Sequence, residues 1–311
     1  MTLRVTFLGT SGAVPTPERN ASALFVNREG HRMLFDAGEG TQRQMMRYNT
    51  GFAVDDLFVT HFHGDHVLGV PGLIQTWNFN DRERRLSIHV PTGTRRTAEE
   101  LVHAIDTTPS FPVEIREVEP GETAVSGDGY EVRAVSVAHR TTAVGYVLAE
   151  ADRKGRFDRE RAEELGVPPG PLFSELHEGN AVELDDGTVV RPEQVVGPPR
   201  PGRTFVYTGD TRPTGAVTEA AAETDLLVHD ATFTDDAHDR ARQTGHSTAR
   251  EAGEVAAAAG VRRLALTHVS SRYAGNVGPL KREAQRAFDG DVVVAHDGYE
   301  VDVPYPDADG A

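Results

Sequence analysis

The chain has 311 residues, 38% of them apolar, so it is long enough to bury one large hydrophobic core. Its 48 acidic residues outnumber its 32 basic residues, and the formal net charge of −16 argues weakly against a polyanionic partner. Cysteine is absent, so disulfides and thiolate metal sites are excluded, and any zinc must be held by His and carboxylate ligands.

A second explanation of the charge is a high-salt cytoplasm. Lys154 and Lys281 are the only lysines, while Asp and Glu are abundant. At about 1 M salt the Debye length is roughly 3 Å, so repulsion between an acidic surface and a nucleic acid is screened. We therefore treat a halophilic source as a hypothesis. It predicts that activity rises with KCl and that the protein loses activity in dilute buffer.

The sequence contains no sign of a membrane segment or of an export signal. No stretch approaches the roughly 18 uninterrupted apolar residues that a transmembrane helix needs. The first eight residues have neither a basic flank nor a cleavable apolar region. We therefore expect a cytoplasmic protein without a membrane partner.

In chain order, short β-rich runs alternate with segments of helical periodicity. The predicted strands are 3–8, 23–26, 32–35, 57–60, 86–90, 131–138, 144–149, 204–207, 226–229, 264–267, 292–295 and 300–303. The predicted helices are 41–48, 67–78, 95–105, 247–259 and 279–288, and Ser247 is the expected cap of the fourth. This number of strands predicts an α/β fold of two sheets with helices on their outer faces, a four-layer αββα sandwich.

The segment 151–203 interrupts this alternation. It carries seven prolines and many charges but only short apolar runs. A loop of this length in a compact domain is usually functional or projecting. Residues 153–161 contain five basic and two acidic residues, a local excess of positive charge. We predict a main domain over 1–311 with a projecting flexible arm at 151–203, and a disordered insertion is the alternative.

Four metal-capable residues occur within six positions at a predicted strand-to-helix turn. His61 and His63 are two residues apart in an extended segment, so both imidazoles point the same way and can reach one metal. Gly64 permits a sharp turn, and Asp65 and His66 follow at the start of the helix. Unpaired His and Asp side chains at this density would be desolvated without compensation, so the run predicts a metal site.

Later strands supply further ligands at the equivalent place. His139, Asp210 and His268 each follow a predicted apolar strand, which is the arrangement that an active site at a sheet edge requires. Each residue alone would be interpreted as a structural polar residue. Together with the run at residues 61–66 they form a set of five His and two Asp, enough for two metal ions.

These ligands and their neighbours resemble the ribonuclease Z family of the metallo-β-lactamase superfamily. The matching motifs are Phe35-Asp36-Ala37-Gly38-Glu39-Gly40-Thr41-Gln42, the run from His61 to His66, Thr208-Gly209-Asp210-Thr211-Arg212-Pro213, His246-Ser247-Thr248 and Thr267-His268-Val269-Ser270-Ser271-Arg272-Tyr273. The metal run alone indicates the superfamily. The insertion with Gly166-Val167-Pro168-Pro169-Gly170-Pro171 is similar to the family's flexible arm, which grips the body of precursor tRNA away from the cut.

The resemblance implies a metallo-β-lactamase sandwich with two zinc ions per subunit. It assigns His61, His63 and His139 to one ion, Asp65, His66 and His268 to the other, and Asp210 to a bridge between them. Asp65 is the expected general base, because a carboxylate beside the reacting water can take its proton. His246 is the expected acid for the departing 3′ oxygen, and a helix-capping surface histidine is the alternative.

Several further residues have implied roles around the metals and the substrate. Asp36 is expected to orient a histidine ligand from behind, with a turn-forming Asp as the alternative. Arg272 is expected to pair with phosphate, although a surface salt bridge is nearly as good an explanation. In the arm, Gly170 and Pro171 are expected to contact substrate.

The N-terminal loop departs from the family pattern. The family often carries Pro-x-Lys-x-Arg-Asn there, and in this chain Pro17 stands at the lysine position. Arg19 and Asn20 remain and are expected to contact the RNA end. Discrimination against a mature CCA end is in doubt for the same reason.

The other histidines are predicted to be structural. We expect His31 in a hairpin turn, His89 in a strand, His103 in a helix, His177 and His238 in polar loops, and His229 and His296 at strand ends before Asp230 and Asp297. Trp77 and Phe79 are expected to pack the first active-site helix rather than to stack on bases.

The leading hypothesis is a zinc endoribonuclease that removes the 3′ trailer from precursor tRNA and leaves a 3′ hydroxyl. A homodimer is expected because the family's arm usually serves the partner subunit's active site. The nearest alternative is a phosphodiesterase or esterase of the same fold acting on other substrates. A metal-dependent RNA-binding or assembly protein is a third hypothesis, but only metal chemistry explains all seven ligands.

Overall fold

The computed structural model describes residues 2–106 and 108–306. The strands in this part of the chain are β1 (Leu3–Gly9), β2 (Ser11–Gly12), β3 (Ala23–Arg28), β4 (His31–Phe35), β5 (Asp56–Phe58), β6 (Leu86–Pro91), β7 (Val113–Val118), β8 (Thr123–Gly127), β9 (Tyr130–Ser136), β10 (Val144–Glu150), β11 (Val182–Glu183), β12 (Val189–Val190), β13 (Thr204–Tyr207), β14 (Leu226–Asp230), β15 (Arg263–Thr267), β16 (Val269–Ser270), β17 (Asp291–Val294) and β18 (Glu300–Asp302).

The helices connect these strands. They are α1 (Thr41–Arg47), α2 (Gly64–Val67), α3 (Val70–Phe79), α4 (Arg95–Val102), α5 (Arg159–Glu164), α6 (Pro171–Glu178), α7 (Gly215–Ala220), α8 (His238–Thr244), α9 (Ala249–Ala259) and α10 (Gly278–Ala287), with short 3-10 helices at Pro192–Gln194, Asp235–Ala237 and Ser271–Tyr273. Across the described ranges, no helix has the length and apolar character needed to cross a lipid bilayer.

The chain divides into two compact units. Unit 1 is Met1–Ala149 with Arg203–Pro304, and unit 2 is Glu150–Gly202 with the chain from Tyr305 onward. Unit 1 contains two seven-stranded sheets, in the orders β18-β1-β3-β4-β5-β6-β7 and β17-β15-β14-β13-β10-β9-β8. Strands β4 to β7 are parallel in the first sheet, and β13, β14, β15 and β17 are parallel in the second.

Side-chain alternation along the strands builds three apolar layers in unit 1. In β13, Phe205 and Tyr207 join the core between the two sheets, while Val206 faces the core under α9 and α10. A third core lies between the outer face of the first sheet and helices α1, α3 and α4, with Trp77 and Leu73 in it. The predicted four-layer αββα sandwich is therefore confirmed.

Unit 2 has a small core of its own. Helices α5 and α6, the strand pair β11–β12 and the loop before residue 197 bury Ala162, Leu176, Val190 and Val195 against one another. Asp158 caps α5 by accepting a hydrogen bond from the Arg161 N–H at 2.9 Å. These contacts form a folded unit. The predicted flexibility of this segment stays a prediction.

Some predicted elements were wrong in detail. The helix expected over 67–78 is split into α2 and α3, because the Gly69 N–H donates to the Ala37 carbonyl at 2.8 Å and Pro71 has no N–H to continue the helix. Thr248, not Ser247, caps α9 through a capping box with Glu251.

Other corrections concern exposure and missed elements. Strands β7 and β8 were missed, since β7 carries charged residues among its apolar ones. Helix α7 was also missed. Phe79 is 85% exposed at the end of α3, so it does not pack as expected, whereas Trp77 is buried and donates to the Phe52 carbonyl. His177 lies in α6 and His238 begins α8, rather than lying in loops.

Candidate metal centre

The run from His61 to His66 lies where the end of β5 meets α2. His63 caps α2 with an extended backbone, and Gly64 begins the helix. His61 and His66 are fully buried, whereas His63 is exposed. The turn from strand to helix therefore presents its donor side chains at one edge of the first sheet.

One group of donors forms around His61 and His63. The Nε2 atom of His61 lies 3.0 Å from His63 Nδ1, which lies 3.3 Å from Nε2 of His139. Asp210 contributes Oδ2, at 3.5 Å from His61 Nε2 and 3.9 Å from His139 Nε2. These four donor atoms all lie within 4.8 Å of one another, although they belong to the loops that follow β5, β9 and β13.

A second group of donors forms around His66 and His268. The Oδ2 atom of Asp65 lies 3.2 Å from His268 Nε2 and 3.6 Å from His66 Nε2. Asp210 also faces this group, since its Oδ1 lies 3.2 Å from both imidazole Nε2 atoms. The two oxygens of Asp210 thus point to different groups, which is the geometry that a bridging carboxylate needs.

The donor set fits a divalent metal. His66 Nε2 and Asp210 Oδ1 are buried and make no hydrogen bond within the described chain, although buried polar atoms almost always have a partner. Burial alone would raise the pKa of Asp210, but the charges of His268, His66 and His61 hold that pKa well below its ordinary value. A cation among these nitrogens and carboxylates satisfies both orphaned atoms.

Asp36 supports the ligands from behind. Its carboxylate is fully buried and accepts hydrogen bonds from Thr60 Oγ1 at 2.9 Å and Tyr207 Oη at 2.9 Å, and its Oδ2 lies 2.7 Å from Nδ1 of His66. Thr60 Oγ1 in turn lies 3.0 Å from Nδ1 of His61. Asp36 therefore fixes the orientation of one ring directly and of a second through Thr60. Its left-handed backbone, with φ of 56°, is held by this network.

Asp230 is the functional residue that sequence reasoning missed. Its Oδ2 lies 2.9 Å from Nδ1 of His246, and its Oδ1 accepts from Thr232 Oγ1 at 2.7 Å. Thr232 Oγ1 lies 2.8 Å from Nδ1 of His268. Asp230 ends the apolar strand β14 as Asp210 follows β13, and this shared position was the signal available in the sequence.

The Asp230 carboxylate also sets the charge of His246. Burial alone would lower the pKa of His246, but the charge of Asp230 and its hydrogen bond outweigh burial and raise the pKa to about 9. The imidazole rings of His246 and His268 stack with their centroids 4.9 Å apart. His246 therefore lies beside the donor groups and is held by a carboxylate for which no role was predicted.

The loop before β3 contains Arg19 and Asn20, whose side chains hydrogen-bond within the protein. Arg19 is buried, and its Nη1 donates to Thr10 Oγ1 at 2.7 Å and to the Ala295 carbonyl at 2.6 Å. The guanidinium thus holds the loop from inside, and the RNA contact expected of Arg19 stays a prediction. Asn20 Nδ2 donates to the Glu39 carbonyl at 2.8 Å, so its amide also holds the loop.

The remaining predicted contacts are spread over the chain. Arg272 is exposed in the 3-10 helix Ser271–Tyr273, with its Cζ 5.8 Å from the Phe233 ring centre. Gly170 and Pro171 are exposed at the start of α6 in unit 2. His31 and His89 flank Asp56 in the first sheet, away from the ligands.

A cleft of about 610 Å³ opens in front of the donor groups. His63, Asp65 and His246 line it, together with the apolar side chains of Ala13 and Leu68. The Ala13 N–H donates to Asp65 Oδ2 at 2.7 Å, so the loop after β2 fixes one oxygen of this ligand. The arrangement can polarise a phosphoryl group at the metals and exchange protons at Asp65 and His246.

Comparisons with known proteins agree with this geometry. Family models described as "Anti-Pycsar protein Apyc1" and "Beta-lactamase superfamily domain" match residues 3–107 and 194–269. The metallo-β-lactamase fold protein YhfI from Bacillus subtilis superposes with a TM-score of 0.71 at 18% identity, covering 97% of this chain and 100% of YhfI. This likeness concerns the fold alone.

Two further comparisons concern the family. The short form of human tRNase Z superposes with a TM-score of 0.70 at 26% identity, covering 97% of this chain and 99% of the human chain. Ribonuclease Z from the halophilic archaeon Halorubrum lacusprofundi is 63% identical over 309 residues, which are 99% of this chain and 100% of the relative. The chain belongs to the ribonuclease Z family.

Proposed function

We propose that this chain is a metal-dependent endoribonuclease that hydrolyses one phosphodiester of precursor tRNA, releases the 3′ trailer and leaves a 3′ hydroxyl. The observation that carries the proposal is the pair of donor groups shared by Asp210, in a chain 63% identical to a ribonuclease Z. A phosphodiester is the class of substrate that such a paired metal site suits.

We further propose that the two groups hold two zinc ions. Nitrogen and carboxylate donors without sulfur are typical of catalytic zinc sites. Bound zinc supplies Lewis-acid stabilisation of the charge that develops on the phosphate oxygens and makes water a better nucleophile. Metal removal with a chelator should abolish turnover, and mass spectrometry after reloading should find two zinc per chain. One ion per chain would contradict the count.

Asp65 is the proposed general base. Its Oδ2 is held by Ala13 N–H and His268, while no described donor reaches Oδ1. Burial would raise the pKa of Asp65, but the hydrogen bond from His268 and the nearby imidazoles hold it below its usual range, so the carboxylate is ionised and can accept a proton. Asp65→Ala should lower kcat by about 10²–10⁴ while tRNA affinity persists. Unchanged kcat would remove Asp65 as the base.

His246 is the proposed acid for the departing 3′ oxygen. Asp230 engages Nδ1, which leaves Nε2 as the ring nitrogen available to substrate in the cleft. The carboxylate keeps the imidazole oriented and favours its protonated form. Proton donation from Nε2 neutralises the alkoxide as the bond breaks.

Unit 2 is the proposed binding element for the body of the tRNA. Its residues 153–161 carry a local excess of basic side chains in an acidic protein, and the family's arm has this task in the resemblance described above. Deleting 151–203 should raise the KM for precursor tRNA far more than that for a small chromogenic diester. An equal loss on both substrates would mean that the segment is structural.

A homodimer is part of the same proposal, supported by the family resemblance. Light scattering in high KCl is expected to give twice the mass of one chain, and a monomer that cuts precursor tRNA at full rate would contradict this.

The central experiment uses tRNA carrying a 3′ trailer. Purified protein is incubated with it in high KCl with Zn²⁺ or Mn²⁺, and the ends of the products are mapped. A single cut next to the discriminator base is expected. Uncut tRNA together with rapid hydrolysis of a chromogenic phosphodiester would favour the alternative diesterase.

A further inference from the structure

The cleft in front of the metal centre has more room than one phosphodiester group uses. Its volume of about 610 Å³ lies in the range of sites that hold whole small ligands. One wall is apolar, with Pro15 and Leu68, and Leu68 is 55% exposed there. Arg140 contributes a positive charge, and it is the one Arg or Lys among the described residues that line the cleft.

Arg140 is an exposed cation without a partner among the described residues. Some other surface arginines of this chain pair with carboxylates, as Arg263 does with Asp291 at 2.6 Å. No recorded ion pair or hydrogen bond joins the Arg140 side chain to Glu39 or Asp65, the carboxylates of the same cleft. In a chain of net charge −16, a cation left unpaired beside a metal centre points to an anionic ligand.

The backbone fixes where this side chain begins. Arg140 directly follows the ligand His139, whose Nδ1 lies 2.8 Å from the Gly245 carbonyl oxygen. A Cβ on Gly245 would lie 2.9 Å from Arg140 Cγ, so the aliphatic stem of Arg140 packs on the turn that leads into His246. The guanidinium therefore extends from a defined point between a ligand and the proposed acid.

The loop before β3 places no second cationic side chain in the cleft, among the residues that the structure describes. Position 17 is an exposed proline, and the Arg19 guanidinium is buried against Thr10 and Ala295. Arg140 is thus the one described residue lining the cleft whose guanidinium can contact an RNA phosphate.

We propose that Arg140 binds a phosphate of the RNA strand next to the one that is cut, and so sets the register of the strand at the metals. This inference rests on the proposed function, because it assigns a substrate contact within the same cleft. A guanidinium and a phosphate can form two parallel hydrogen bonds, which give geometric definition as well as affinity. Arg140 is thus a specificity-determining residue and takes no part in proton transfer.

The test compares Arg140→Gln with Arg286→Gln in the metal-loaded full chain. Arg286 is an exposed arginine of α10 with no ion-pair or hydrogen-bond partner for its side chain among the described residues, so the control has the same change of charge away from the cleft. For precursor tRNA, Arg140→Gln should lower kcat/KM about 10- to 100-fold, chiefly through KM. The slope of log kcat/KM against log salt should fall by roughly 0.7–0.9, since one phosphate contact is lost. Arg140→Lys should restore part of the loss.

A small chromogenic diester separates this role from a structural one. It has no neighbouring phosphate, so Arg140→Gln should hydrolyse it within about twofold of the wild-type rate. An equal loss on both substrates, or an unchanged salt slope with tRNA, would overturn the proposal. Arg286→Gln should change neither quantity.

A last measurement distinguishes this proposal from the proposed function. A short single-stranded RNA is added as an inhibitor of diester hydrolysis, and its inhibition constant is measured for each variant. Wild-type protein that leaves precursor tRNA uncut would refute the proposed function alone. Even then, an inhibition constant about tenfold higher for Arg140→Gln than for the wild type supports the phosphate contact, and equal constants for the two proteins overturn it.

Discussion

Unit 1 contains two groups in which Asp carboxylates lie against His imidazoles, and the two groups differ in how their polar atoms are paired. At the metal centre, Asp210 lies among imidazoles whose Nε2 atoms all converge on its two oxygens. In the first sheet, Asp56 of β5 lies 2.8 Å from His31 Nε2 and 2.8 Å from His89 Nε2. Each oxygen of Asp56 has one imidazole, and this group is closed by its own hydrogen bonds.

The difference shows which property marks a metal site. Both groups combine Asp with His, but only the first leaves a carboxylate oxygen and an imidazole nitrogen, Asp210 Oδ1 and His66 Nε2, close together without a hydrogen bond. His89 Nδ1 is also without a hydrogen bond, yet among the described residues no three metal-capable atoms there lie within 4.8 Å of one another. Convergence of unsatisfied atoms, rather than residue type, therefore indicates where a cation binds.

The largest expected effect comes from neutralising the shared carboxylate. Asp210→Asn removes the negative charge that faces both donor groups, so metal content should fall below two per chain and kcat should drop at least about 10³-fold. Asp56→Asn is the matched change in the closed group, and it should keep full metal content and turnover. Mass spectrometry and the tRNA assay check both variants. A comparable loss of metal in Asp56→Asn would contradict the proposal that only the Asp210 group binds metal.

A smaller loss of metal affinity is expected when Asp36, which hydrogen-bonds to the candidate ligand His66, is changed. Asp36→Asn keeps the shape of the side chain but replaces one acceptor oxygen by an amide, so His66 and Thr60 lose part of their orientation. Metal affinity should weaken about 10- to 100-fold, with little change in fold. Titration with a zinc-competing chelator measures it, and circular dichroism confirms that the variant is folded. Unchanged affinity would mean that packing alone orients the rings.

The candidate ligands could be grouped from the sequence because parallel strands end at one edge of a sheet. His139, Asp210 and His268 follow apolar runs, and their position relative to each strand could be counted without coordinates. The pairs His229-Asp230 and His296-Asp297 also lie at the ends of apolar runs, so the sequence pattern does not distinguish one pair from the other. The structure does, because α8 and the turn after it bring His246 to Asp230.

The burial of Arg19 could not be predicted for a related reason. Its Nη1 donates to the carbonyl of Ala295, 276 residues away along the chain. Nothing local distinguishes such an arginine from one that faces solvent, and the motif around it favours a substrate role. Contacts of this length depend on the completed sandwich, whereas turns, caps and strand alternation depend on neighbours in sequence.

The smallest expected effect is on acid stability. Burial would raise the pKa of Asp56, but the hydrogen bonds to His31 and His89 hold it well below its ordinary value. A carboxyl whose pKa is lowered by folding stabilises the protein above its unfolded pKa of about 3.9, and this contribution is lost as pH falls through the folded pKa.

Asp56→Asn should therefore be less stable by about 1–3 kcal/mol at pH 7, and the difference should shrink below about pH 4. Thermal unfolding from pH 7 to pH 2 measures the difference, with Asp289→Asn at an exposed aspartate as the control. A gap that stays constant with pH would show that Asp56 acts through packing rather than charge.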